Sequence, residues 1–167
     1  MLSAILSKED CAKCRFCCSF RRTSLWETPI FTEENILAIK NSLKDTSVLN
    51  EFDNNEIKYA TYDLSDKYLT SNPDEEVPCP YLDQSSGCIL NNEEKPWDCK
   101  IWPLRILRKA DGKVVVALTP TCPSINSIDI EKIRDFVNDN LKEDLLAYAN
   151  AHPYLIKNFR DGWNIEL

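Results

Sequence analysis

The sequence predicts a small, loop-rich α+β fold in a single domain over residues 1–167, and three observations point to it. Helical periodicity covers residues about 32–44 and 129–150, a β-hairpin pattern covers about 104–118, and residues 45–78 are polar, acidic and rich in turn signals. A chain of 167 residues with 43% hydrophobic and 28% charged residues has an ordinary globular composition, long enough to bury a core.

Each element has a local reason. Thr32 can cap a helix, Glu33 and Glu34 suit its positive N-terminus, and Ile36, Ile39 and Leu43 share one face. Asp53-Asn54-Asn55 and Asn72-Pro73-Asp74 mark turns, and between them Glu56 to Tyr62 roughly alternates, as a strand would. Ile106–Arg108 and Val114–Leu118 flank Asp111-Gly112, the pattern of a hairpin. Asp129 can cap a last helix with Ile130, Ile133, Phe136, Val137, Leu141 and Leu145 on one side, and Pro153 ends it. Loops as long as the middle ones seldom persist in a compact domain without a function or a staple. Metal bound by cysteine thiolates would be such a staple, in a cysteine-bearing core of about residues 11–125 followed by a helical segment of about 129–167.

Composition excludes several function classes. A net charge of −7 repels phosphate, so neither nucleic acid nor an anionic membrane is an expected partner. The three glycines, at 87, 112 and 162, are too far apart for a Walker loop or a dinucleotide-binding turn. His152 is the single histidine, which excludes a His-rich zinc site and leaves a Ser-His-Asp triad one possible base. Met1–Leu6 runs straight into Ser7-Lys8-Glu9-Asp10, too short for a secretory signal and charged on the wrong side. No apolar run is longer than Val114–Leu118, far short of the roughly 20 residues that span a bilayer. A cytoplasmic location is therefore expected, and there closely spaced thiols are more often metal-binding or catalytic than disulfide-forming.

Eight cysteines carry the chemistry. Cys11-x-x-Cys14-x-x-Cys17-Cys18 has the two-residue spacing that lets a tight turn present sulfurs to one zinc ion or to adjacent irons. Three such sulfurs in succession match ligation of a four-iron, four-sulfur cubane. Neighbouring side chains diverge, so Cys17 and Cys18 suit two different centres, or one ligand and one free thiol. Further ligands must come from Cys79, Cys88, Cys99 and Cys122. The eight could form two four-sulfur sites, or one site with spare thiols packed as small apolar residues, Cys122 foremost because it lies farthest from the others. Lys13, Arg15, Arg21 and Arg22 give Cys11–Arg22 a local charge of +4, and the stretch from Trp97 to Cys122 carries +3. Such cations favour thiolate over thiol. His152 reads as a surface or capping group, Trp26, Trp97, Trp102 and Trp163 as core or cluster shields, and the runs Asp74–Glu76 and Glu93–Glu94 as solvated loops. Tyr81 and Asp83 lie near Cys79, but no spacing singles them out for proton chemistry.

This pattern resembles the cysteine-cluster family of zinc- or iron-chelating domains, whose signature is Cys-x-x-Cys-x-x-Cys-Cys. The resemblance covers roughly residues 11 to 125. Cys79-Pro80-Tyr81-Leu82 is similar to the family's Cys-x-x-Leu element, Cys88-Ile89-Leu90 and Lys95-Pro96-Trp97-Asp98-Cys99-Lys100-Ile101-Trp102-Pro103 to its Cys-x-Ile-Tyr and Arg-Pro-x-x-Cys-Arg-x-Phe-Pro run, and Cys122-Pro123-Ser124 to its last cysteine. Arg15 stands where the family often has Gly, Lys95 where it has Arg, and Ser124 where Gly is usual. A weaker resemblance is to the cysteine cluster of flagellin lysine N-methylases, which implies an iron–sulfur centre and S-adenosylmethionine, although the chain is short for a complete version.

The leading expectation is a metalloprotein with one or two iron–sulfur or zinc centres, acting in electron transfer or as a metal-built scaffold. Two alternatives belong to other classes: a methyl-transferring enzyme using S-adenosylmethionine, and a structural zinc module that docks an acidic protein partner through Arg21, Arg22, Arg105 and Arg108.

Overall fold

In a computed structural model, which describes residues 14–167, the chain divides into an N-terminal unit ending at Lys100 and a C-terminal unit from Ile101 to Leu167. Cys11, Lys13 and the Met1–Asp10 stretch lie outside the described residues. The chain is α+β, as the periodicities predict.

The N-terminal unit holds β1 (Ser19–Arg21), β2 (Phe31–Thr32), α1 (Glu33–Asn41), β3 (Leu49–Asn54), β4 (Ile57–Tyr62), β5 (Glu76–Pro78), β6 (Leu82–Asp83), β7 (Gly87–Cys88) and all but the last residue of α2 (Trp97–Ile101). Its sheets are small: β2-β4-β3, β1-β5 and β6-β7, all antiparallel. Helix α1 starts as expected, because Asn35 closes a capping box by accepting from the Thr32 backbone N–H at 3.2 Å. It ends at Asn41, before the expected residue 44, and Leu43 turns out to solvent at φ +59° instead of joining Ile36 and Ile39 in the core. The alternation over residues 56–62 is strand β4, and the turn signal just before it joins β4 to a partner, β3, that the acidic composition concealed. Asn55 (φ +50°) and Glu56 (φ +64°) form the two-residue connection, with the pair of positive dihedrals that matches the twist of the flanking strands.

One apolar cluster supports these sheets: Phe20, Phe31, Ile36, Ile39, Leu49 and Tyr62 among others, with Cys79 packed against it. The Tyr62 ring sits 5.2 Å from Phe31, 5.5 Å from Phe20 and 6.0 Å from Tyr81. A fully buried ring such as Phe31 contributes roughly 1.5–3 kcal/mol over an exposed one.

The C-terminal unit holds β8 (Leu104–Arg108), β9 (Val114–Leu118), α3 (Pro123–Asn126), α4 (Ile130–Asn140), α5 (Lys142–Ala151), β10 (Lys157–Asn158) and β11 (Ile165–Glu166). The predicted hairpin is the β8-β9 pair at the centre of a four-stranded sheet of order β10-β8-β9-β11. Helix α5 packs on β8 and β9, and both strands are buried along nearly their whole length; β9 reads as a continuous apolar run, whereas β8 buries Arg105 among its apolar residues. Asp129 caps α4 by accepting from the Glu131 N–H at 2.9 Å. The single helix expected over 129–150 is instead two, broken at Leu141 (φ −130°, ψ −29°). Neither proline nor glycine causes the break, and hydrogen bonds continue through it from Leu141 N–H to Val137 and from Leu145 N–H to Leu141. Its cause is packing: the bend lets Ile133 and Val137 on one side and Leu145 and Ala149 on the other all be buried together with Leu141. No helix among the described residues is long and apolar enough to cross a membrane.

Candidate metal centre

Six of the candidate cysteines, Cys14, Cys17, Cys18, Cys79, Cys88 and Cys99, lie among the described residues of the N-terminal unit. None of the seven described cysteines is in a disulfide. The backbone brings them in from separate stretches of chain. At Arg15 the chain turns through the left-handed region (φ +52°), and Cys18 N–H closes the following 3-10 turn on the Arg15 carbonyl at 2.9 Å. A non-glycine residue there costs about 1 kcal/mol, and this is the position that glycine often fills in the resembled family. Arg15 Nη1 also donates to Gln84 Oε1 at 3.1 Å, tying the cysteine turn to the β6-β7 hairpin.

Cys18 leads into β1, and β1 pairs with β5 so that Ser19 faces Pro78. One step further along the ladder, Cys79 N–H donates to the Cys18 carbonyl at 2.8 Å, which sets these two cysteines opposite each other. The Cys79 carbonyl then accepts from Leu82 N–H in a tight turn into β6, and β7 returns Cys88 opposite Leu82. Asp83 holds this hairpin by accepting from the N–H and hydroxyl groups of Ser85 and Ser86, which drive its carboxyl well below the usual range. Asp83, near Cys79 in sequence, thus has a turn-forming role.

Cys99 rides on α2, and the loop before that helix is anchored to α1. Asn35 Nδ2 donates to the Glu93 carbonyl at 2.7 Å, and the Glu94 carboxylate, fully buried, accepts from Lys44 Nζ at 2.7 Å and from Asn91 N–H at 2.7 Å. Burial pushes the Glu94 carboxyl up, but Lys44, Ser42 and Asn91 outweigh it and hold the group below its ordinary value. Glu94 is therefore a buried anchor, not part of the solvated loop that its acidic run suggests; the structural reason is the lysine brought to it from the end of α1.

The thiols feel one another. The Cys18 thiol falls to about 7, first because Cys17 hydrogen-bonds to it, with burial opposing and the charges of Lys95 and Arg15 assisting. Burial lifts Cys79 to about 11, although the Tyr62 hydroxyl and the Tyr81 N–H hydrogen-bond to its sulfur; the negative charges of Cys18 and Cys88 add to the rise. Cys99 keeps solvent access, yet the protein packed around its sulfur raises it well above a free thiol, as do Asp98, Cys79, Cys18 and Cys88. Burial thus opposes ionisation at Cys79 and Cys99, while Cys18 is the thiol most readily ionised among those three.

Tyr62 touches one member of this set, Cys79. Its hydroxyl oxygen lies 3.1 Å from Cys79 Sγ, and it is buried. Burial raises the phenol well above its usual value, and so do the neighbouring Cys79, Cys99 and Cys88. The sequence offered no reason to single out Tyr62, because its distance from the cysteines along the chain hides a contact that only the sheet creates. Among the described residues, no three His, Cys, Asp or Glu side chains lie close enough together to hold a metal ion. Cys122 belongs to the C-terminal unit, where it is 8% exposed and precedes α3.

The arginines read as docking residues have other engagements. Arg21 pairs with Glu76 at 2.6 Å, and Arg22 lies 4.4 Å from the Tyr68 ring centroid and donates to the Thr70 carbonyl. In the C-terminal unit Arg105 is buried with its guanidinium 4.7 Å from the Trp102 ring centroid, and Arg108 donates to the Gly112 carbonyl. No family model, no curated protein and no solved structure matches the chain.

Proposed function

We propose that this chain is a metal-binding protein that holds one or two iron–sulfur or zinc centres on the Cys11–Cys18 block together with Cys79, Cys88 and Cys99. The observation that carries the reading is geometric: the β1-β5 ladder sets Cys18 opposite Cys79, with the Cys79 N–H on the Cys18 carbonyl at 2.8 Å, and the β6-β7 hairpin that follows Cys79 returns Cys88 opposite Leu82. Thiols brought near one another from separate stretches are suited to a cation, which draws the ligands in as it binds. Donor chemistry fits both candidates, since thiolates hold zinc and iron–sulfur clusters alike. Three cysteines at two successive two-residue spacings, Cys11, Cys14 and Cys17, favour a four-iron, four-sulfur cubane. Its role would be electron transfer or the scaffolding of a unit whose sheets are small. Cys122, a small buried side chain in the other unit, is left out of the proposed donor set.

The test is metal content in paired variants. Cys18→Ser is expected to lose most of its bound iron or zinc, and Cys122→Ser to keep the wild-type amount. Equal metal content in wild type and Cys18→Ser would remove Cys18 from the centre.

A further inference from the structure

We propose that Tyr62 is a positioning residue of this centre: its hydroxyl donates a hydrogen bond to the sulfur of Cys79, fixing that ligand's orientation and tempering its negative charge. The inference rests on the metal-centre reading and deepens it. A cysteine that ligates a metal does so as thiolate and has no proton to give, so across the 3.1 Å contact only the tyrosine can donate. The sulfur also receives the Tyr81 backbone N–H, so two donors from different strands and turns converge on Cys79. Ring packing alone does not require the hydroxyl: Phe20, Phe31 and Tyr81 would hold a phenylalanine in the same place. Tyr81 supplies the internal contrast. Its ring belongs to the same cluster, but its hydroxyl donates to the Asp45 carbonyl at 2.7 Å. Groups that orient metal ligands through hydrogen bonds typically change affinity about 10–100-fold when removed. A donor to a ligating sulfur also stabilises the more reduced state of an iron–sulfur cluster.

The experiment uses the full chain as wild type, Tyr62→Phe and Tyr81→Phe, each loaded with cobalt(II) as a probe of thiolate ligation. Three quantities are read: the sulfur-to-cobalt charge-transfer band, the rate of cobalt release to a chelator, and the melting temperature. Tyr62→Phe is expected to shift the band and release cobalt about tenfold faster, while Tyr81→Phe leaves both at wild-type values. A Tyr62→Phe protein with an unmoved band overturns the inference, even if it melts earlier or releases metal faster, because a merely structural role would do that. In that case the metal-centre reading stands. Wild type that takes up no cobalt, and carries no iron or zinc as purified, overturns the metal-centre reading and the inference with it.

Discussion

In the C-terminal unit, Leu104–Arg108 and Val114–Leu118 lie side by side under α5, and nearly every residue of both strands is buried. In the N-terminal unit the strands flanking the cysteines are two or three residues long, and the turns between them are held by side chains: Arg15 to Gln84, Asp83 to two serines, Asn35 and Lys44 to the loop before Cys99. The same contrast appears in the backbone. All four non-glycine residues with positive φ among the described residues, Arg15, Leu43, Asn55 and Glu56, lie in the N-terminal unit. Both units bury apolar area, which is non-directional and tolerant of exact position. The N-terminal unit adds short turns held by side chains around its cysteines, and at Arg15 it accepts local strain beside them.

The largest expected effects should separate the two units. Cys14→Ser is expected to strip metal and destabilise the N-terminal unit by more than about 4 kcal/mol, the class of change seen when a structural metal is lost. Calorimetry with elemental analysis checks it, and unchanged melting with unchanged metal would remove Cys14 from the ligand set. Leu145→Ala should cost about 2–5 kcal/mol through the cavity left under α5, yet leave the metal content of folded protein untouched. Denaturant titration beside metal analysis measures both, and metal loss from the folded variant would mean that the units are not independent in this respect.

How far the two units could be read from the sequence follows the same division. Strands β8 and β9, the Asp129 cap and the Thr32 start are local signals, and they were legible because apolar periodicity and capping act over a few residues. The bend at Leu141 was not, since it obeys packing and has no breaker residue. The cysteines themselves were plain from their spacing. Their coupling to Tyr62, and the burial of Glu94 against Lys44, arise from long-range pairing that no local pattern encodes. The left-handed backbone of Arg15 was not legible either, since arginine carries no local signal for positive φ.

Smaller effects sharpen the contrast. Glu94→Gln should cost about 1.5–3 kcal/mol at neutral pH by weakening a buried, charge-assisted set of hydrogen bonds. Because the folded group titrates below its ordinary value, its contribution is present above the unfolded carboxylate range and is lost as pH falls through the folded value. Stability curves of wild type and Glu94→Gln should therefore converge in acid; a gap that persists or widens there would show that the carboxylate is not the stabilising form. Arg15→Gly should be the mildest change, gaining up to about 1 kcal/mol by relieving the left-handed strain. A clear loss of stability would assign more weight to the Gln84 hydrogen bond than to the backbone.

The most direct test of the central claim is anaerobic purification followed by iron, zinc and acid-labile sulfide analysis with a visible absorption spectrum. The account predicts stoichiometric metal: iron with sulfide and broad charge-transfer absorption, or zinc in a colourless protein. A folded chain with no bound metal, and all eight cysteines titrating as accessible thiols, would contradict it.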